Sequence, residues 1–127
     1  MSTRVLNTEK APKAIGPYVQ GKIVNGFLFA SGQIPLDPAT GEMVQGDITA
    51  QAEQAMQNVA ALVGAAGTTM DNIVKATCYL KNIEDFAAFN EVYAKYMDED
   101  APARSCIGGV DLPKGALCEI EVVVYVG

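Results

Sequence analysis

The chain of 127 residues contains no histidine. That absence excludes a Ser-His-Asp triad, a Cys-His pair, an HExxH zinc site and any imidazole general base. Acid–base work would then fall to a carboxylate, a tyrosine, a lysine or water. Arginine is scarce as well: Arg4 and Arg104 stand against seven scattered lysines, and the formal charge is −6. Phosphate binding runs on clustered Lys and Arg, so a nucleic-acid partner is not expected. The three cysteines (Cys78, Cys106 and Cys118) are an odd number at spacings that match no metal motif. They read as reduced thiols of a cytoplasmic protein. No apolar run approaches the ~20 residues that cross a bilayer, and the start MSTRVLN lacks the apolar region of a signal peptide. Without repeats, low-complexity tracts or linkers, a chain of this length is expected to form one domain over residues 1–127.

What is present is half hydrophobic and clearly patterned. Residues 10–17, KAPKAIGP, read as an extended lead-in. YVQGKIV and FLFASGQI flank Asn25-Gly26, the strongest short hairpin signal, because both residues tolerate positive φ. PLDPATGE reads as loop and turn. From Asp47 onward Ala52, Met56, Val59, Val63 and Ala66 recur at helical spacing, with Gly67 as a natural stop. NIVKATCYL alternates, placing Val74, Ala76, Cys78 and Leu80 on one face of a strand and Lys75, Thr77 and Tyr79 on the other. NIEDFAAFNEVYAKYM returns to helical period, with an aromatic stripe of Phe86, Phe89, Tyr93 and Tyr96. Two strands follow, over about 103–109 and 117–126, joined by DLPKG as a hairpin. The order predicts an α+β fold: a mixed sheet with both helices on one face, its second face covered by copies of the chain.

The stretch PARSCIGGVDLPKGALCEIEVVVYV carries the chemistry. A hairpin would put Arg104 and the acids Glu119 and Glu121 on adjacent strands. Two readings are open. One is a cross-strand salt bridge, worth ~0.2–1 kcal/mol. The other is a carboxylate clamp beside an acid–base group, because the guanidinium fork grips a carboxylate through two parallel bonds.

Four motifs in order, AIGPYVQG, ASGQIPLDPATGE, DNIVKATCYLKNIEDFAAFNEVYAKYM and PARSC…CEIEVVVYV, resemble the reactive intermediate (enamine/imine) deaminase A family, RidA, also called YjgF. The resemblance runs from about residue 8 to 126. It implies one RidA-like domain with a chorismate-mutase-like fold, and homotrimers with clefts between subunits. The implied activity is hydrolysis of 2-enamino and 2-imino acids, such as 2-aminoacrylate and 2-iminobutanoate, to 2-keto acids and ammonia, without metal or organic cofactor. Carried over by motif, Arg104 binds the substrate carboxylate, assisted by the main-chain amide of Cys106. Glu119 positions water and moves protons. Tyr18 lines the cleft, Ser31 and Gly32 supply backbone contacts, and Asn90 is a polar neighbour of the site.

Each assignment has a plainer alternative. Cys106 reads as a small residue fitted beside the arginine rather than a nucleophile, since no histidine activates it. Tyr18 is also compatible with strand packing, Gly32 with backbone shape alone, and Asn90 with a local bond to backbone. Glu121 shares a face with Glu119, and only the resemblance separates them. The Gly108-Gly109 pair bears on the cleft rim. Three other functions stay open at this stage: a sensor of carboxylates, a ribonuclease or translation inhibitor, and a chaperone-like surface.

Overall fold

The computed structural model describes residues 3–127; Met1 and Ser2, which begin the MSTRVLN start, lie outside the described residues. Strand β1 (Thr3–Leu6) forms one edge of the sheet and pairs antiparallel with β2 (Gly21–Val24). Asn25 and Gly26 turn β2 into β3 (Phe27–Ala30) with φ of 51° and 80°, as the Asn-Gly signal predicts. Helix α1 (Ile48–Ala65) begins where the Asp47 side chain accepts a hydrogen bond from the Ala50 amide. It ends in a Schellman motif: Gly67 takes φ 84°, its N–H donates to the Gly64 carbonyl, and the Thr68 N–H donates to that of Val63.

The remaining elements are β4 (Ile73–Leu80), α2 (Phe86–Lys95), β5 (Ala103–Gly108) and β6 (Cys118–Tyr125). The sheet order is β1-β2-β3-β6-β4-β5, with β4 and β5 parallel and every other pair antiparallel. This overturns the expected β5–β6 hairpin. The chain leaves β5 at the far edge and returns through residues 109–117 to insert β6 between β3 and β4. Parallel pairing follows from the α2 crossover that joins β4 to β5. A second correction falls on Val74. A bulge between Ile73 and Lys75 turns Ile73 into the core and leaves Val74 44% exposed.

Both helices lie on one face of the sheet. Ala52, Met56, Val59 and Val63 of α1 and Phe89 and Val92 of α2 pack with Leu28, Ala76, Cys78, Leu80, Ile120, Val122 and Val124 in one core. The other face has no helix over it and carries Val5, Phe29, Ile107 and Tyr125 exposed. Buried amides tie the loops to this frame. Asn58 donates to the carbonyls of Ile34 and Leu36, and Gln51 bonds Val44 and Leu117. Gln20 donates to the carbonyls of Thr8, Ala11 and Pro12. Each buried amide would cost ~1–3 kcal/mol unpaired, so these bonds fix the segments that flank the site.

Candidate active site

Arg104 lies opposite Ala76 in the β4–β5 register and therefore on the helix-covered face. Its guanidinium donates from Nη1 to Asn90 Oδ1 at 2.7 Å. The guanidinium carbon sits 4.7 Å from the Tyr93 ring centroid and 5.6 Å from that of Phe86. Phe86, Asn90 and Tyr93 are spaced i, i+4 and i+7, so one stripe of α2 forms the whole seat. Among the described residues the ion pair is Lys95–Glu53, and Arg104 has no carboxylate partner. The cross-strand salt bridge is thus absent. A guanidinium held by a neutral acceptor and two ring faces is left without a carboxylate among the described residues to balance it.

Cys106 faces the same way two residues on, opposite Cys78. Burial pushes its thiol up, and Arg104 only partly opposes this. Cys78 is buried and its thiol is pushed up to about 12. Neither is a thiolate at neutral pH. Tyr93 is 7% exposed, and its hydroxyl has no hydrogen-bond partner among the described residues. Burial pushes that hydroxyl up to about 12, so the ring serves the seat and not proton transfer.

Glu119 lies opposite Tyr79 on β4, on the face away from the helices. Arg104 and Glu119 are therefore on opposite faces of the sheet with β4 between their strands, contrary to the expectation of one shared patch. Glu119 closes one wall of a cavity of about 370 Å³ that also takes in Tyr18, Gly32, Gln33, Pro113 and Lys114. Gly32 packs close against this carboxyl. A Cβ at that position would run into the Glu119 carboxyl, 2.9 Å from its carbon. Reciprocal bonds between Gln33 and Ile120 hold the Gly32 loop against β6. Burial, and then the charge of Glu121, hold the Glu119 carboxyl above the ordinary carboxylate value. Glu121 differs, because its Oε1 accepts a 2.9 Å bond from the Tyr79 hydroxyl.

The expected residues therefore divide into two groups. Arg104, Asn90 and Cys106 meet on one face; Glu119, Gly32 and Tyr18 meet on the other. Ser31 stays outside the Glu119 cavity, and its hydroxyl donates to the Val19 carbonyl at 2.6 Å. Sequence reading missed Phe86 and Tyr93 as a seat, although the aromatic stripe was visible, and missed Gln33 and Lys114 at the cavity. Among the described residues no three of Cys, Asp and Glu gather as a metal-holding group, and no helix is long and apolar enough to cross a membrane.

With this geometry in view, the family comparison is decisive: the model described as endoribonuclease L-PSP matches residues 8–126. The chain belongs to this family, which is that of the RidA (YjgF) resemblance. A Lactococcus lactis protein proposed to be a regulator, AldR, is 54% identical over 123 residues, covering 97% of this chain and 98% of its own. The goat (Capra hircus) 2-iminobutanoate/2-iminopropanoate deaminase is 43% identical, covering 98% of this chain and 90% of its own. The crystal structure of Escherichia coli TdcF with bound serine superposes with a TM-score of 0.91 at 42% identity, covering 98% and 99% of the two chains. The six-stranded mixed sheet with two helices matches the fold of solved structures of the family, with TM-scores of 0.93 and 0.95 for a Thermotoga maritima and a Yersinia pestis protein.

Proposed function

We propose that this protein is a cytoplasmic hydrolytic deaminase of 2-enamino and 2-imino acids, working without a cofactor in clefts between the subunits of a homotrimer. The observation that carries this reading is Arg104, a guanidinium seated by Asn90 and two aromatic rings with no carboxylate among the described residues to balance it. Such a group fits a substrate carboxylate. The goat relative's activity and the serine bound in TdcF, a carboxylate-bearing ligand, support the same class. The free cysteines support a reducing compartment.

Because Arg104 and Glu119 lie on opposite faces, the reading assigns them to one cleft from two copies of the chain. The uncovered sheet face with Val5, Phe29, Ile107 and Tyr125 is the surface such copies would bury. In the cleft the enamine tautomerises to the imine, and the protonated imine carbon accepts water held at Glu119. Collapse of the carbinolamine expels ammonia and leaves the 2-keto acid. Glu119, with its carboxyl above the ordinary range, is placed to exchange the protons of both steps.

The test is the decay of 2-iminobutanoate, generated by an amino-acid oxidase and trapped competitively with semicarbazide. Arg104→Ala is expected to lose about 2–5 kcal/mol of transition-state binding, and Glu119→Gln about 10²–10⁴-fold in rate. Unfolding the two variants together and refolding them as a mixture should restore about a quarter of the sites, since each cleft draws its two groups from different copies. Equal decay with wild type, Arg104→Ala and no protein would overturn the deaminase reading. No recovery on mixing would overturn the shared cleft.

A further inference from the structure

The Glu119 cavity, as one chain forms it, is lined by two basic residues besides the carboxyl. Its volume of about 370 Å³ falls in the ~300–1,000 Å³ range that accommodates drug-sized ligands. Ile15, Leu36 and Pro113 give it apolar wall, and Lys13 and Lys114 are the two basic residues of its lining. These are two of only seven lysines in a chain of net charge −6. Both are exposed, and neither joins an ion pair among the described residues.

The backbone at Lys114 adds an independent sign. It is held at φ 57° and ψ 23°, a left-handed conformation where glycine or asparagine sits with less strain. Pro113 before it and Gly115 after it, at φ 70°, hold the turn in this shape. A lysine kept at such a position points to a use for its side chain. That use is not neutralising Glu119: the carboxyl is pushed up by burial and by Glu121, with no lysine opposing the shift. Nor is it gripping the α-carboxylate, which the reading above gives to Arg104.

We propose that Lys13 and Lys114 receive a second acidic group at the far end of the substrate side chain. The preferred substrate class is then the imino acids derived from acidic amino acids, with the apolar wall packing the methylenes between the two carboxylates. This inference rests on the deaminase reading and narrows it.

The test compares two imino acids of equal chain length in the semicarbazide assay. One is 2-iminoglutarate made by glutamate oxidase, and the other is 2-iminopentanoate made from norvaline. Wild type is expected to favour 2-iminoglutarate by about 3- to 20-fold in kcat/KM, with the ratio shrinking as salt is added. The double variant Lys13→Gln/Lys114→Asn should bring the ratio close to one, and Lys13→Gln alone should lower it part of the way. Asparagine suits the left-handed position, so the turn keeps its shape. A wild-type ratio at or below one, or a ratio unchanged in the double variant, would overturn the proposal while the deaminase reading stands. Acceleration of neither substrate would overturn that reading, and the proposal with it.

Discussion

The seat of Arg104 and the cavity of Glu119 occupy opposite faces of one sheet, and they are finished to different degrees. Arg104 is seated by residues of its own chain, Asn90 at 2.7 Å and the rings of Tyr93 and Phe86. The cavity of Glu119 has a firm floor, where Gln33 bridges Ile120, but its far wall includes Ile15 and Tyr18, exposed by 77% and 53%. The chemistry of the two charges accounts for the contrast. A guanidinium stays charged whatever surrounds it, so neutral partners can hold it ready. A carboxyl moved out of water binds its proton more tightly instead, which suits the proton exchange proposed for Glu119. The fixed charge lies where the chain supplies its own neutral partners, and the titratable group in a cavity whose lining is partly exposed.

With Arg104 and Glu119 themselves left in place, the largest expected effect comes from disturbing the cavity floor. In Gly32→Ala the new Cβ meets the Glu119 carboxyl, which must move. A displacement of about 1 Å at a catalytic group costs roughly 10²-fold, so kcat should fall by about that factor in the imine assay while far-UV circular dichroism stays unchanged. Asn90→Asp strikes the other face. It preserves an acceptor for Arg104 Nη1 but supplies the carboxylate that the seat lacks. The substrate must then compete with a like charge, and KM should rise by about 10- to 100-fold. An unchanged KM would mean that the open charge of Arg104 is not what binds. Phe86→Leu takes away one ring face and should raise KM about 2- to 5-fold with a smaller change in kcat, whereas Phe86→Tyr keeps the ring and should restore it.

The difference between the two regions also explains what was legible in the sequence. Local chemistry read well: Asn25-Gly26 makes the turn, the helical pattern starts from Asp47, and Gly67 ends α1. The Arg104 seat was half legible, since the helical stripe showed Phe86 and Tyr93 on one face but not what would lie against them. Strand order was not legible from neighbouring segments alone. Reading β5 and β6 as a hairpin assumed that sequence neighbours pair, whereas the strand–helix–strand succession of residues 73–108 already favoured a parallel β4–β5 pair. With that pairing missed, Arg104 and Glu119 fell on one face. The bulge at Ile73 was hidden for a similar reason, because one extra residue shifts which side chains face inward without changing the alternation that follows.

The smallest expected effect bears on how Glu119 is tuned. Glu121 lies two residues along on the same face, and its charge adds to burial in holding the Glu119 carboxyl above the ordinary range. Tyr79, opposite Glu119, donates to Glu121 rather than to Glu119. Glu121→Gln keeps an acceptor for the Tyr79 hydroxyl and removes the charge. The sign then follows directly. Without the neighbouring negative charge the ionised form of Glu119 is less disfavoured, so Glu119 releases its proton at lower pH. In a pH–rate profile of kcat/KM, the limb governed by Glu119 should move toward acid. If the carboxylate accepts a proton from water, that limb is the acidic one, and the variant gains activity at low pH. If the carboxylic acid donates a proton to the departing ammonia, it is the basic one, and the variant loses activity at neutral pH. Tyr79→Phe leaves the Glu121 charge in place and should shift neither limb toward acid. A profile of Glu121→Gln that overlays wild type would show that burial alone sets the proton affinity of Glu119.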